Sequence, residues 1–271
     1  MVENIIFSEV DNIEKIIIED NELLINWIGQ AGFIFKDINN IIICIDPYYS
    51  NSIERYEGEQ SRRIWFNRLN IEKFNPDFVL CTHDHLDHTD PETIPLLNSY
   101  SNAIFYGPKS CSNHIKRMHI SKNRIKTIEI NKIYLFKNIK FKPVFADHTE
   151  DSCGIIFYFN GLKVYITGDT CLNPRLFEII DERIDILITC INGKFGNLNI
   201  EESIILFKEI RARKIIPMHY GLIPNNTASI SEFINKCNKE NINYSVLDIE
   251  KSYIIKKYDE LITIKSLREG M

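Results

Sequence analysis

Thr82-His83-Asp84-His85-Leu86-Asp87-His88 is the stretch on which the reading of this chain turns. It places three imidazoles and two carboxylates in six consecutive residues, directly after an apolar, strand-like run, Phe78-Val79-Leu80-Cys81. The spacing is H-x-H-x-D-H. His83 and His85 can turn toward one point. Asp87 and His88 follow on the turn and can address a second point nearby. Imidazole and carboxylate are the usual ligands of Zn²⁺ and related first-row ions. The alternative is a solvated polar turn. A metal site differs from such a turn in requiring further ligands downstream.

Three further groups stand at the ends of apolar runs. Ile139–Ala146 reads as a strand and is followed by Asp147-His148-Thr149. Leu162–Thr167 is followed by Gly168-Asp169-Thr170, and Lys214–Met218 by His219-Tyr220-Gly221. Strand-to-loop junctions are common places for chemistry on a rigid scaffold. Singly, each has another reading: His148 as a surface turn residue, Asp169 as a helix N-cap, His219 as a core histidine. The joint order favours one site.

With these residues in view, the chain resembles a metallo-β-lactamase-fold hydrolase from about Trp27 to Tyr220, and most closely the branch of L-ascorbate-6-phosphate lactonase. Trp27-Ile28-Gly29-Gln30-Ala31-Gly32-Phe33, Ile45-Asp46-Pro47, the histidine block, Tyr106-Gly107-Pro108-Lys109, Thr167-Gly168-Asp169-Thr170 and Ile216-Pro217-Met218-His219-Tyr220 carry the likeness. Two departures stand out. Gln30 occupies a position where many relatives of that branch have histidine, and the chain is shorter than the ascorbate enzyme. The resemblance implies a four-layer αββα sandwich. It also implies two divalent ions, zinc or manganese with iron as the alternative. His83, His85 and His148 would hold one, Asp87, His88 and His219 the other, with Asp169 bridging. Two such cations can share a water, lower its pKa to about 7 and polarise the bond under attack. Asp87 and Asp169 thereby become catalytic candidates. Asp84 joins them as a group that orients a ligand from behind, a helix-capping carboxylate being the other reading.

Asn192-Gly193-Lys194-Phe195-Gly196-Asn197 follows the strand-like Ile184–Thr189. Lys194 is the candidate to hold a phosphate or carboxylate, and Asn192 to donate to an oxyanion. A glycine-rich surface turn is the alternative. Tyr220, and less strongly Tyr48, Arg63 and Trp65, complete the candidate substrate residues.

Composition narrows the classes. The chain has 271 residues, 44% hydrophobic and 25% charged, with net charge −5. A chain of this length can bury a large core. The acidic balance argues against a nucleic-acid binder. The seven cysteines form no C-x-x-C pair, which fits free thiols in a reducing compartment and a cytoplasmic protein. Met1–Phe7 lacks a basic leader pattern, and no run approaches membrane-spanning length. The expected protein is a single domain over residues 1–271 acting on a small, anionic molecule. No nucleic-acid or membrane partner is expected, and a homo-oligomer is compatible with the pattern. The leading activity is hydrolysis of a lactone, amide or phosphoester. An iron-dependent oxidoreductase or a phosphodiesterase/nuclease on the same fold is the competing reading.

The pattern predicts strands over Leu23–Ile28, Gly32–Phe35, Ile41–Ile45, Gly154–Phe159, Tyr244–Leu247 and Tyr253–Lys256. Helices are predicted over Pro91–Ser99, Lys109–Met118, Ile200–Arg211 and Ile230–Glu240. Asn199 and Glu202 read as a capping box. Tyr48–Phe74 reads as an irregular insertion beside the site.

Overall fold

The computed structural model describes residues 13–65, 70–258 and 261–267. Met1–Phe7, and residues 66–69 of the insertion, lie outside them.

Two sheets carry the fold. The first holds β1 (Glu22–Gly29), β2 (Gly32–Lys36), β3 (Ile42–Ile45), β4 (Phe78–Leu80), β5 (Ile104–Gly107) and β6 (Ile125–Thr127). The second holds β7 (Tyr134–Phe136), β8 (Ile139–Phe145), β9 (Cys153–Phe159), β10 (Leu162–Ile166), β11 (Ile186–Cys190) and β12 (Lys214–Met218). The hairpin of β13 (Ser252–Tyr258) and β14 (Leu261–Ser266) returns to the first sheet beside β1. Each sheet begins as an antiparallel meander and continues as parallel strands, β3 to β6 in one and β10 to β12 in the other. Parallel neighbours end at the same edge, so the loops after β3 and β4, and those after β10, β11 and β12, open together there.

Alternation decides which face each side chain serves. Leu23, Ile25 and Trp27 of β1 join the core between the sheets, where Phe35 meets Phe157 and Phe159 at 6.2 and 5.6 Å. Leu24 and Ile28 point the other way and pack with Ile94 and Leu97 of α2 (Thr93–Tyr100) and with Cys111 and Ile115 of α3 (Lys109–Arg117). The second sheet is backed by α4 (Ile200–Glu209), which packs on β11 and on α5 (Ile230–Lys239). The layers are therefore αββα, as expected. Full burial on both faces accounts for the near-continuous apolar strands. The capping box at Asn199 and Glu202 forms, with reciprocal bonds of 2.9 Å.

Tyr244–Leu247 departs from the expectation. Only Tyr244 bridges to Ile215, through bonds on either side of it. The chain then crosses to the first sheet, where Glu250 N–H donates to the Trp27 carbonyl, so the segment cannot stay paired with β12. Within Tyr48–Phe74 a short helix, α1 (Ser52–Glu57), forms. Tyr48 and Ile53 are buried against Leu222 and Ile223, and Trp65 packs on this cluster. Arg63 lies over the Tyr48 ring at 4.9 Å. No helix among the described residues is long and apolar enough to cross a membrane.

Candidate metal centre

The loop after β4 is clamped at both ends by one buried carboxylate, Asp46, which follows β3. Thr82 N–H and Thr82 Oγ1 donate to Asp46 Oδ1 and Oδ2, each at 2.7 Å. His88 Nδ1 donates to Oδ2, also at 2.7 Å. Between these anchors the chain turns tightly, with Thr89 N–H on the His85 carbonyl and Thr89 Oγ1 on the His83 carbonyl. The loop after β10 comes close at Gly168. That residue has φ +61°, and a Cβ there would sit 3.0 Å from Thr82. Glycine permits this approach, which brings Asp169 over the histidines.

The seven residues expected as ligands come together. Three groups have ligand atoms all within 4.8 Å of one another: His83, His85 and His148; His83, His88 and Asp169; Asp87, His88 and His219. Asp169 lies among them, with Oδ1 3.4 Å from His88 Nε2 and Oδ2 3.3 Å from His219 Nε2 and 3.8 Å from His148 Nε2. His148 Nε2 is 3.2 Å from His85 Nδ1.

These residues fit metal ions by a direct criterion. Nε2 of His83, His88 and His219 and Oδ1 of Asp169 are buried without a hydrogen-bond partner. Each such atom costs about 1–3 kcal/mol if left unmet. Four in one cluster of nitrogen and oxygen donors match the preferences of borderline and hard divalent cations. The Asp46 bond reinforces the fit. It fixes one proton of His88 on Nδ1 and turns Nε2 toward Asp169, where a bound cation would take the place of the second proton, the arrangement metal-bound histidines require.

The electrostatics agree. Burial would pull His88 and His219 down, but the surrounding carboxylates outweigh it. Asp169, Asp46 and Asp87 hold His88 well above the ordinary imidazole value, and Asp169 and Asp87 hold His219 at about 9. Burial and the neighbouring His88 push His83 well below it. Asp169 is opposed by burial, yet His219 and His88 keep it well below the usual carboxylate range. A cation at the centre would replace the protons that now balance these charges.

Two supporting residues carry no chemistry legible from sequence. Gln30, fully buried, donates through Nε2 to Asp87 Oδ2 at 3.2 Å and lies 3.5 Å from His219 Nδ1. Its backbone carbonyl accepts the His219 N–H at 2.9 Å. Asn197 Nδ2 donates to Asp169 Oδ2 at 2.8 Å.

The other expected residues are placed differently. Asp84 lines the cavity above the cluster, whereas the carboxylate hydrogen-bonded behind a histidine is Asp46. Tyr220 is 7% exposed and packs on Trp27 at 4.8 Å, inside the core. Asn192 Nδ2 donates to Asn226 Oδ1 at 2.6 Å, beneath the loop. Lys194 is exposed, and its amine is on the Asn225 carbonyl at 3.1 Å. Neither Asn192 nor Lys194 is among the residues lining the cavity of about 300 Å³. Asn225, Asn226 and Phe195 do line it. They sit in loops without periodicity, and sequence offers no signal for their convergence.

Comparison with known proteins follows the same lines. Residues 24–219 match the family described as the beta-lactamase superfamily domain. A UPF0173 protein of Pyrococcus furiosus is 27% identical over 225 residues, covering 83% of this chain and 95% of that protein. A UPF0173 metal-dependent hydrolase of Methanobrevibacter smithii is 25% identical over 240 residues, covering 82% and 92%. A metallo hydrolase from the archaeon Ignicoccus hospitalis superposes with a TM-score of 0.72 over 88% of this chain and 100% of that one, at 19% identity. That last likeness speaks to fold alone.

Proposed function

This chain belongs to the beta-lactamase superfamily domain family, and we propose that it is a metal-dependent hydrolase holding two divalent ions and cleaving a lactone, amide or phosphoester. The observation that carries the reading is the set of four buried, partnerless atoms on His83, His88, Asp169 and His219. The naming of the Methanobrevibacter relative as a metal-dependent hydrolase supports it. His83, His85 and His148 would hold one ion and Asp87, His88 and His219 the other, with Asp169 placed between the two groups. When bound, zinc, manganese or iron at these positions supplies Lewis acidity and a water acidified to about neutral pKa.

The chain's own residues do the rest. Asp46 and Thr82 fix the ring of His88, Gln30 holds Asp87, and Asn197 orients Asp169. His85, His148, Asp87 and Asp169 border the cavity, so a substrate there meets the cluster directly. No separate nucleophile is required. Elemental analysis of purified protein, followed by a screen of lactones, phosphoesters and amides with the native metal, tests the reading. Two equivalents of metal and metal-dependent turnover of one class support it. A protein that binds metal but turns over none of the three is not a hydrolase of this kind.

A further inference from the structure

The cavity wall beyond the cluster has its own chemistry. Ile53, Leu86, Phe195 and Ile223 are apolar; Glu57 and Asp84 are acidic. Phe195 is 67% exposed, a large aromatic surface left open to the cavity. Its backbone lies in the left-handed region, φ +54°, between Gly193 and Gly196, also at positive φ. That conformation is costly for a bulky residue and persists where surrounding structure imposes it. Here it holds an aromatic ring beside the site.

The polar part of the wall consists largely of acceptors. Asn225 donates through Nδ2 to Ser61 Oγ at 3.0 Å, and its backbone carbonyl takes the Lys194 amine. Its Oδ1 is buried without a partner. Asn226 also lines the cavity; its Oδ1 accepts from Asn192, so what it has left to offer is an amide donor, and away from the histidines of the cluster the charged groups of the wall are the carboxyls of Glu57 and Asp84 alone. Among the described residues, no lysine or arginine lines the cavity. Its volume of about 300 Å³ lies at the small end for ligand sites.

We propose that the part of the substrate outside the scissile bond is apolar or aromatic, bears N–H or ammonium donors, and is uncharged or cationic, not a phosphate or carboxylate. This rests on the hydrolase reading. The ions would take the reacting carbonyl, while Phe195 and Leu86 cover the apolar body and the carboxyl groups of Glu57 and Asp84 accept its donors. A carboxylate placed against two acidic side chains is disfavoured by like charge, whatever the ions contribute at the other end.

Three hydroxamates with a common metal-binding group test the assignment on zinc-loaded protein. Phenylalanine hydroxamate carries an ammonium, phenylpropionic hydroxamate no charge, and the monohydroxamate of phenylsuccinic acid a carboxylate. Calorimetry should rank them in that order, with at least about a tenfold gap between first and last. Glu57→Gln should compress the gap, and Phe195→Ala should weaken all three together. Tightest binding by the carboxylate member, the absence of any ranking, or a ranking unmoved by Glu57→Gln overturns the proposal. Turnover of the matching nitrophenyl esters is read separately. Selective binding without turnover removes hydrolysis and leaves the wall's selectivity standing. Turnover that prefers the carboxylate ester keeps hydrolysis and removes the selectivity.

Discussion

The two sides of the histidine–aspartate cluster are built differently. Asp87, His88 and His219 are 7%, 0% and 0% exposed. Each is held by a partner that is itself fully buried: His88 by Asp46, Asp87 by Gln30, and His219 through the Gln30 carbonyl. His85 and His148 border the cavity, and His85 is exposed. They meet each other, and the Gly196 backbone bonds the His148 ring. The sealed side, where only Asp87 reaches the cavity, is preorganised by the fold; on the open side His83 is likewise buried, with Nδ1 3.2 Å from Thr82 Oγ1, while His85 and His148 lean on the cluster itself. Preorganised ligands bind metal more tightly because less ordering is left to do. The sealed side should fill first, and the open side should face the substrate.

Removing Asp169 should have the largest effect, because that carboxylate reaches both sides. Asp169→Ala should lose metal from both, by elemental analysis, and abolish turnover. Asp84→Ala, on the cavity wall, should keep both ions. A variant pair behaving the other way round would reverse the assigned roles.

Asp46→Ala comes next. It strips His88 Nδ1 and two Thr82 donors of one buried acceptor. A loss of roughly 3–5 kcal/mol is expected from breaking such a buried charged network, read by chemical denaturation. A change under about 1 kcal/mol would mean that Asp46 does not anchor the loop. Gln30→Ala should be milder, weakening the sealed ion by about 10–100-fold while leaving the open one. Metal titration followed by calorimetry separates the two. Equal weakening at both sides would erase the distinction drawn between them.

How far the sequence carried this picture varies by residue. The convergence of the cluster was legible because His and Asp at four strand ends have few other joint explanations. Asp46 was visible as part of Ile45-Asp46-Pro47, but its role was not. A lone acid after an apolar strand has no spacing that ties it to His88, 42 residues on. Gln30 acts through one amide and one carbonyl, groups any loop supplies. β5, β6, β7 and β14 were not anticipated; β6 and β7 are three residues long with mixed exposure, unlike the equally short but wholly buried and apolar β4. Ile125-Lys126-Thr127 buries only its first residue. Lys194 invited an anion-binding reading from its glycine neighbours, yet its amine turns to Asn225.

The pH response is a smaller effect and distinguishes metal-free from loaded protein. His219 is held at about 9, above its unfolded value near 6.5. Its contribution to the stability of metal-free protein is therefore full below pH 6.5 and lost as pH rises through about 9. Asp169 is depressed, so its contribution is present above the ordinary carboxylate value and lost on acidification. Metal-free Tm should fall between pH 6.5 and 9, and loaded protein should not follow it. Metal binding at pH 7.5 should release protons, seen as a dependence of the calorimetric heat on buffer ionisation. A buffer-independent heat would contradict the charge balance. Lys194→Ala should have the smallest effect, within about 0.5 kcal/mol of the parent in stability.

Stepwise zinc titration of metal-free protein, with anomalous diffraction at one and two equivalents, tests the central claim most directly. The account predicts one ion among Asp87, His88, His219 and Asp169 at the first equivalent. A second should join His83, His85 and His148 at the next. A single ion at saturation, or ligands other than these seven residues, would contradict it.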